Sequence, residues 1–248
     1  MMTPNSGTLP LNTTPWQRSL QWQPTAAQQA QFERLYQAIL VGNQQLNLTR
    51  LIEPTEFWEK HLWDAIAGLL PLRHYLDLEK GRAIDVGTGP GFPGLPLAIW
   101  QPHLTVTLLD ATQKKVRFLQ ELVQNWASLQ VQAIAARAEA LGQDPGYREQ
   151  FQIALIRAVA APAVCVEYVL PLLAIGGVAV LYQGQWEEGR SQALIPIIQS
   201  LGGELLEVVS LTTPLTQSQR HWLYLRKTQP TPAQYPRAVG VPTKRPLC

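Results

Sequence analysis

Hydrophobic and polar positions follow two different periods in the chain. Between residues 25 and 80, apolar side chains recur every three or four positions, which predicts a cap of amphipathic helices. Thr25 is a capping residue for the first helix, and Pro71 ends the second, which begins near Thr55. From residue 81 onward, short apolar runs alternate with helical patterns. This alternation predicts an α/β domain behind the helical cap.

Seven apolar runs bounded by turn-forming residues are predicted to be strands. They lie at 83–86, 104–109, 131–134, 151–156, 178–182, 205–211 and 222–226. Helices are predicted at 95–100, 112–126, 163–173 and 187–201, with Gly176-Gly177 as the stop of the third. The last two strands have no helix between them and must be antiparallel, because a parallel crossover needs about a dozen residues or more. The pattern predicts a Rossmann-like, doubly wound sheet that is mainly parallel, with an antiparallel last strand.

The two ends of the chain differ in composition from this middle part. Residues 1–24 are rich in Pro, Thr, Asn and Gln, and are predicted to be a flexible segment. Residues 228–248 contain five prolines and two basic clusters, and are predicted to form an extended arm. The predicted organisation is a flexible segment (1–24), a helical cap (25–80), an α/β domain (81–227) and a basic C-terminal arm (228–248).

Charge is distributed unevenly, although the formal net charge of the 248 residues is only +2. Residues 1–207 contain 14 basic and 18 acidic side chains, whereas residues 208–248 contain six basic and no acidic ones. This asymmetry indicates either a polyanionic partner or a solvated tail, and charge alone does not choose between them.

Several classes of protein are disfavoured. No apolar run approaches the ~18 residues that a membrane span needs, and the N-terminus lacks the apolar core of a signal peptide. Cys165 and Cys248 offer neither a disulfide framework nor metal-ligand spacing. We therefore expect a cytoplasmic protein without a membrane or metal partner.

The most informative segment is a glycine-rich loop that follows the first predicted strand. Asp85 lies near the end of the strand, and Gly87, Gly89 and Gly91 then stand at alternate positions. Glycine permits backbone conformations and close approaches to a ligand that other side chains would block. The order of strand, glycine loop and helix is the first half of a nucleotide-binding βα unit.

Two classes of nucleotide are compatible with this loop. Residues 89–94 match the G-x-G-x-x-G fingerprint of dinucleotide-binding proteins, although a single match is weak evidence. Pro90 and Pro93 remove two N–H groups that a pyrophosphate would need, so the loop suits a neutral or cationic ligand better. With Asp85 and Gly87 upstream, the loop resembles the first motif of class I S-adenosylmethionine-dependent methyltransferases, in which it wraps the methionine part of the donor.

Two further acidic residues follow the next strands. Asp110, at the end of the second strand, can accept both hydroxyls of a ribose, as in NAD enzymes and methyltransferases alike. Glu139 follows the third strand where class I methyltransferases contact adenine, and is otherwise a common acid at a helix start. These acids indicate that the site binds a nucleoside, but they do not distinguish an NAD enzyme from a methyltransferase.

The fourth predicted strand limits the methyl acceptor. It ends in Ile156-Arg157-Ala158 and lacks the Asn/Asp-Pro-Pro-aromatic sequence of enzymes that methylate exocyclic amines. Cys165 lies within a helix and is predicted to be a small core residue rather than a nucleophile. An acceptor that is already nucleophilic, such as guanine N7, needs neither device, because its methylation depends on positioning. No catalytic side chain is predicted, and Arg157 is either a phosphate or guanine ligand or part of a structural ion pair.

A series of motifs resembles one methyltransferase family over about residues 30–247. The motifs are Asn47-Leu48-Thr49, Lys60-His61-x-x-Asp64, the run from Asp85 to Leu97, Leu109-Asp110, Lys114-Lys115-Val116-x-Phe118-Leu119, Arg137-Ala138-Glu139, Arg157-Ala158, Pro230-Thr231-Pro232, Tyr235-Pro236-Arg237 and Lys244-Arg245-Pro246-Leu247. They are similar to those of the RsmG family, also called glucose-inhibited division protein B. The resemblance implies a class I methyltransferase fold. It also implies methyl transfer from S-adenosylmethionine to N7 of a guanine in 16S rRNA, either free or in a small-subunit particle.

Two sets of site residues are expected: the resemblance implies donor contacts, and clustered basic charge indicates RNA contacts. Donor contacts are expected at Gly87, Phe92, Ala138, Glu139 and Arg157, with Asp110, Ala111 and Thr112 at the ribose and Asp85, Gly89 and Gly91 in the donor loop. RNA contacts are expected at Lys114, Lys115, Arg117, Arg226, Lys227, Arg237, Lys244 and Arg245. The first three of these are alternatively a solvated helix face. Gln183 and Ala65 stand where many members have lysine and serine.

Two other functions remain open on these patterns: an NAD-dependent Rossmann oxidoreductase, and a non-catalytic RNA-binding protein that keeps the fold. We further expect a monomer. Removal of residues 228–248 is expected to weaken RNA binding and to leave donor binding nearly intact.

Overall fold

In residues 8–10 and 13–248, which the computed structural model describes, seven strands form one sheet in the order β3-β2-β1-β4-β5-β7-β6. The strands are β1 (Arg82–Val86), β2 (Thr105–Asp110), β3 (Val131–Ala135), β4 (Phe151–Arg157), β5 (Leu173–Gln183), β6 (Gly203–Thr212) and β7 (Gln219–Lys227). Strands β1 to β5 pair in parallel, and β7 is antiparallel to both of its neighbours. The predicted mainly parallel sheet with an antiparallel last strand is confirmed.

Helices cover both faces of this sheet. They are α1 (Thr13–Leu20), α2 (Ala26–Leu46), α3 (Pro54–Phe57), a π-helix (Trp58–Trp63), α4 (Asp64–Leu69), α5 (Gly94–Trp100), α6 (Gln113–Gln124), α7 (Ala138–Leu141), α8 (Pro162–Val169), α9 (Glu188–Ser200) and α10 (Val241–Lys244), with 3-10 turns at Leu70–His74 and Leu170–Leu172. Side chains alternate across β4, so that Ile153 and Leu155 join one hydrophobic cluster while Ala154 and Ile156 join the other. The central strands are therefore buried on both faces, as is usual for parallel strands.

The start of β5 differs from the prediction. The helix predicted at 163–173 ends at Val169, and Gly176-Gly177, predicted to stop it, lie inside β5. The pairing of β5 with β4 shifts register between Phe151 and Ile153, and in this region Gly176 has a φ of 86°. The glycines therefore form an irregularity within a strand rather than the end of a helix.

Helix α1 lies within the segment 1–24 that composition predicts to be flexible. Trp16 of α1 is fully buried, and its ring centroid lies 6.1 Å from that of Phe32 and 5.1 Å from that of Trp58. The prediction is wrong around Trp16, because one large aromatic side chain anchors this polar segment in the core. The part of the prediction that concerns residues 1–7 and 11–12 lies outside the described residues.

The C-terminal segment packs on the domain instead of extending from it. Arg148 donates hydrogen bonds to the carbonyl oxygens of Thr231 and Tyr235, each at 2.7 Å. A Cβ added to Gly142 would lie 2.7 Å from Cγ of Pro236, so the two segments are in close contact. The predicted extended arm is wrong, because its carbonyl groups find donors on the domain and its prolines pack against the surface.

One hydrophobic cluster joins the helical cap to the sheet. Trp58 and Trp63 of the π-helix belong to the same cluster as Leu155 of β4 and Trp222 of β7. This shared core fixes the π-helix beside the sheet. The predicted division of the chain at residues 24, 80 and 227 stays a prediction.

Candidate active site

Asp85 holds the two ends of the glycine-rich loop together. Its Oδ2 accepts hydrogen bonds from the Thr88 hydroxyl at 2.6 Å and from the Gly94 amide at 2.7 Å. The side chain is fully buried, and its Oδ1 has no hydrogen-bond partner among the described residues. Burial raises the pKa of Asp85 from 3.8 to about 6. Asp85 therefore shapes the loop and keeps one oxygen available for a further donor.

Three positions of the loop require glycine. The φ angle is 71° at Gly87, 58° at Gly89 and 105° at Gly91, all in the region that favours glycine. A Cβ at Gly87 would also lie 2.3 Å from Cγ2 of Val159. The loop therefore presents backbone rather than side chains to the space between β1 and β4.

Asp110 ends β2 and faces this loop. Its Oδ2 accepts a hydrogen bond from the Gly89 amide at 2.9 Å, and its Oδ1 accepts one from the Thr112 amide at 2.7 Å. Each carboxylate oxygen has a second lone pair, so Asp110 can still accept ribose hydroxyls as predicted. Thr112 precedes α6, and its side chain makes no capping hydrogen bond.

Two adjoining cavities at the carboxyl edge of the sheet share Gly87, Asp110, Ala111 and Val159 as lining residues. Their volumes are about 260 Å³ and 380 Å³, and we call them together the nucleoside cleft. The predicted donor residues that line it are Gly87, Gly89, Phe92, Asp110, Ala111, Ala138, Glu139 and Arg157. The other three, Asp85, Gly91 and Thr112, are outside its lining. The fold thus gathers most of the predicted donor residues in one place.

Glu139 is a buried carboxylate in the wall of the nucleoside cleft. Its Oε1 accepts hydrogen bonds from Arg137 and Tyr168 at 3.1 Å and from the Gly240 amide at 2.9 Å. Its Oε2 is buried without a partner in the described part of the chain. Burial raises the pKa of Glu139, but the hydrogen bonds from Gly240 and Arg137 outweigh burial and bring it below the ordinary value. Glu139 is therefore an ionised carboxylate with one oxygen free to accept.

Arg157, at the end of β4, separates the nucleoside cleft from a further cavity. Its Nη1 donates to the Lys60 carbonyl oxygen and to Oδ2 of Asp64, both at 3.0 Å. Its Nη2 lies 3.1 Å from Nδ1 of His61, and the guanidinium lies 5.8 Å from the centre of the Phe92 ring. Arg157 is thus an ion-pair partner that also lines both cavities.

His61 is a neutral, buried ring in this network. It stacks on Phe92 with ring centroids 4.5 Å apart and planes inclined by 14°. Because arginine only donates, Nδ1 accepts from Arg157, and Nε2 carries the proton that it donates to Oγ1 of Thr49 at 3.0 Å. Burial and the positive charge of Arg157 lower the pKa of His61 well below 6.5. Both ring nitrogens are therefore committed to neighbours.

The further cavity, which we call the second cavity, has a volume of about 410 Å³. It is lined by Leu51, Lys60, His61, Asp64, Arg157, Ala158, Ala160, Tyr182, Gln183, Gly184 and Arg220. Oδ1 of Asp64 lies 3.6 Å from Nε of Arg220, so this carboxylate joins two arginines. The sequence alone predicted no role for His61, Asp64 or Arg220. The motif Lys60-His61-x-x-Asp64 was visible, but its chemistry depends on Arg157, which is distant in sequence.

The π-helix carries residues that the helical cap contributes to the lining of the second cavity. It spans Trp58–Trp63, carries Lys60 and His61, and leads directly into Asp64. The wider backbone of a π-turn is often found at functional sites. Here the Lys60 carbonyl oxygen accepts a hydrogen bond from Arg157.

The predicted RNA contacts divide into accessible and inaccessible residues. Lys114, Arg117, Lys244 and Arg245 are exposed, and Lys115 lines the nucleoside cleft. Lys227 is fully buried, with its ammonium 2.7 Å from the Leu170 carbonyl oxygen and 3.3 Å from the Glu149 carboxylate. The predicted RNA contact at Lys227 is therefore wrong, because this ammonium is buried and bonded to groups of the protein itself.

Arg237 is also engaged by the protein. Its guanidinium donates to both carboxylate oxygens of Glu167, at 2.9 Å and 2.6 Å, and the carboxylate is fully buried. This geometry makes Arg237 a structural partner of Glu167 and counts against the predicted RNA contact.

The direction of β7 decides which of its basic residues lie at the second cavity. His221 pairs with Gln183 at the carboxyl end of β5, whereas Arg226 pairs with Val178. An antiparallel strand therefore begins at the edge that carries the site and ends away from it. Arg220 consequently lies at the second cavity, while Arg226 lies over the Tyr75 ring at 5.9 Å.

Cys165 is buried in α8, as predicted. Its thiol donates to the Ala160 carbonyl oxygen at 3.3 Å, and burial raises its pKa to about 11. Within the described residues, no helix has the length and apolar character to cross a membrane, and no three His, Cys, Asp or Glu side chains cluster as metal ligands.

The strand order and the nucleoside cleft at the carboxyl edge define a class I methyltransferase fold. A solved structure with this fold is a single-residue mutant of the 16S rRNA (adenine(1408)-N(1))-methyltransferase from Catenulisporales acidiphilia. It has a TM-score of 0.51 and 11% identity, and the match covers 61% of this chain and 87% of that one. The same mutant with its cosubstrate has a TM-score of 0.50 and 14% identity. At these identities the likeness shows the fold alone.

The chain belongs to the GidB family, rRNA small subunit methyltransferase G, whose model matches residues 28–223. A relative from Nostoc punctiforme is 52% identical over 233 residues, which are 94% of this chain and 96% of that protein. A second, from Trichormus variabilis, is 50% identical over 234 residues with the same coverage. Both are named ribosomal RNA small subunit methyltransferase G. The family prediction is confirmed, and the chain is an S-adenosylmethionine-dependent methyltransferase rather than an NAD enzyme.

Proposed function

We propose that this protein transfers a methyl group from S-adenosylmethionine to N7 of a guanine in small-subunit (16S) rRNA. The observation that carries the proposal is the pair of sites on either side of Arg157. The nucleoside cleft lies on one side, and the second cavity, with Lys60 and Arg220 at its wall, lies on the other. The names of the relatives above support rRNA as the substrate. We further propose that the protein acts as a cytoplasmic monomer.

The nucleoside cleft fits S-adenosylmethionine. When bound, this donor supplies a methyl group on a cationic sulfonium. Oε2 of Glu139, in the cleft wall, is a buried oxygen that lacks a partner in the described structure, and it suits an N–H donor. Asp110 keeps lone pairs for the ribose hydroxyls. Asp110 and Glu139 place two negative charges in the cleft wall, which attract a cationic ligand, while Lys115, Arg137 and Arg157 line the same cleft.

The second cavity fits an acceptor that needs no proton removed. Guanine N7 has an exposed lone pair, so the side chains only have to position it. His61 has both nitrogens engaged, and Asp64 is held by Arg157 and Arg220. The Cys165 thiol is buried with a raised pKa, which disfavours an attack on a pyrimidine ring. Lys60 and Arg220 pair with Glu56 and Asp64 but have N–H groups beyond those that the pairs use, and these suit guanine O6 and phosphate oxygens.

The proposed acceptor is tested by mapping the methyl group. The purified protein, labelled donor and either transcribed 16S rRNA or small-subunit particles from a strain without the family enzyme are combined. We expect the label in one N7-methylguanine, identified by mass spectrometry of the nucleosides and by strand cleavage at that base. Label at another atom, or none on either substrate, contradicts the proposal.

A pair of variants on β7 tests the second cavity. Arg220→Gln removes a guanidinium at the cavity, so we expect kcat/KM for the RNA to fall about tenfold. Arg226→Gln, on the same strand away from the cavity, is the matched control and stays within about twofold of the parent. Donor affinity, measured without RNA, is unchanged in both. Equal effects of the two substitutions would remove Arg220 from the acceptor site.

A further inference from the structure

A C-terminal segment beyond the range matched by the family model closes one side of the nucleoside cleft. We call residues 237–244 the C-terminal strap. Thr243 of this strap lines the same cavity as Gly87, Asp110 and Glu139. The cleft wall therefore contains a residue more than 100 positions away from the glycine loop.

One carboxylate oxygen connects the strap to two helices. Oε1 of Glu139 accepts hydrogen bonds from the Gly240 amide at 2.9 Å and from the Tyr168 hydroxyl at 3.1 Å. The Tyr168 oxygen also lies 3.1 Å from Oγ1 of Thr243. Glu139 on α7, Tyr168 on α8 and the strap thus form one network, which leaves Oε2 of Glu139 without a partner in the described chain.

The conformation of Gly240 allows its amide to join this network. Its φ is 81°, and a Cβ built on it would have open space around it. A substitution by alanine is therefore strained by the backbone conformation alone and creates no clash.

Arg237 anchors the other end of the strap. Its guanidinium forms a two-point ion pair with the buried Glu167, and its backbone amide donates to the same carboxylate at 2.9 Å. Charge-assisted, two-point bonds of this kind fix geometry strongly. The strap is therefore attached at both ends, by Glu167 and by Glu139.

We propose that the C-terminal strap is part of the donor-binding site and positions Glu139 for the adenine of the donor. The Gly240 amide and the Tyr168 hydroxyl occupy Oε1 of Glu139, so Oε2 is left to accept from the exocyclic amino group of an adenine nucleoside. Gly240 and Arg237 are positioning residues in this arrangement, and Thr243 closes the cavity. Removal of residues 228–248 then weakens donor binding, contrary to the expectation from sequence. This role concerns the donor only and does not depend on the proposed guanine acceptor.

The test measures binding of S-adenosylhomocysteine and of its inosine analogue, which lacks the 6-amino group, by calorimetry without RNA. For the parent we expect the inosine analogue to bind roughly tenfold more weakly or worse, as for a lost hydrogen bond to a charged group. In Gly240→Ala we expect the adenosine ligand to weaken several-fold and the preference over inosine to shrink towards one. Gly176→Ala, at a glycine of β5 with a φ of 86° and the same open space around it, is the matched control and leaves both affinities unchanged.

A truncation extends the test. A chain ending at Pro236 lacks the strap, and we expect its donor affinity to fall at least about tenfold, while a chain ending at Arg245 binds like the parent. A folded Pro236 truncation with parental donor affinity overturns the proposal. If that truncation fails to fold, Gly240→Ala decides: an unchanged preference for adenosine, or equal weakening of both ligands, also overturns it.

Discussion

The two ends of the chain reach the same edge of the sheet but build opposite halves of the site. The N-terminal cap supplies Lys60 and Asp64 to the second cavity, whereas the C-terminal strap supplies Thr243 to the nucleoside cleft. The charges of the two halves differ as well. The cleft has two carboxylates, Asp110 and Glu139, beside Lys115, Arg137 and Arg157, whereas the second cavity has one, Asp64, beside Lys60, Arg157 and Arg220.

This division follows from the ligands that the two halves are proposed to hold. A cationic donor is attracted by carboxylates, and a polyanionic acceptor is attracted by guanidinium and ammonium groups. Arg157 stands at the boundary, and its charge is balanced on the acceptor side by Asp64.

The largest effect is expected from the loss of the Arg157 side chain, which lies between the two cavities. Arg157→Ala removes the donor to Lys60, His61 and Asp64, and leaves Asp64 buried with only Arg220 at 3.6 Å. We expect the free energy of unfolding to fall by about 3 kcal/mol, because a buried charge loses its partner. Methyl transfer should fall about 100-fold or more, because the wall between the two substrates is lost. Urea unfolding and initial rates measure the two quantities.

The double variant Arg157→Ala/Asp64→Asn separates these two effects. Neutralising Asp64 removes the unpaired charge, so most of the stability should return while methyl transfer stays low. Recovery of both quantities, or of neither, contradicts the assignment of Arg157 as a shared wall of the two cavities.

A smaller effect, confined to the nucleoside cleft, is expected from Asp110→Ala. The change removes the acceptor of the Gly89 and Thr112 amides together with the proposed ribose contact. We expect donor affinity to fall by about 2–3 kcal/mol, or roughly 30- to 150-fold in Kd, with RNA affinity little changed. Asp77→Ala is the control, because Asp77 makes the same kind of bond to the amide two residues on, at Glu79, but is exposed. A donor Kd within threefold of the parent, roughly 0.6 kcal/mol, contradicts the ribose role.

The last prediction concerns how stability depends on pH through Asp85, which supports the glycine loop from behind, and it expects no loss of function. Burial raises the pKa of Asp85 from 3.8 to about 6, so the folded state holds a proton that the unfolded state has lost between these values. The group therefore favours the folded state most below pH 3.8, and this contribution disappears as the pH rises to about 6. Relative to Asp85→Asn, the parent should lose up to about 3 kcal/mol of unfolding free energy over this range. Urea unfolding at several pH values measures the difference, and parallel curves for the two proteins would refute it.

Local patterns were sufficient for the donor side of the site. The glycine loop, Asp110 and Glu139 lie at the ends of consecutive parallel strands, and parallel strands bring their carboxyl ends to one edge. The acceptor side required the fold, because Asp64, Arg157 and Arg220 come from a π-helix, β4 and an antiparallel strand. For the same reason, RNA contacts were expected at Arg226 and Lys227 and not at Arg220. Residue type does not reveal which end of β7 faces the site.

The alternation of apolar and polar positions by itself determined the strand–helix order and the parallel sheet, and the glycines with Asp85 determined a nucleoside loop. These are local properties, set by backbone conformation and by the period of each element. Only the tertiary structure decided whether the basic C-terminal segment extends from the domain or packs on it. Its charge and prolines indicated an extended arm, but Glu139, Glu149 and Glu167 on distant elements bind it to the domain. A buried carboxylate needs partners, and those partners become known only when the chain is folded.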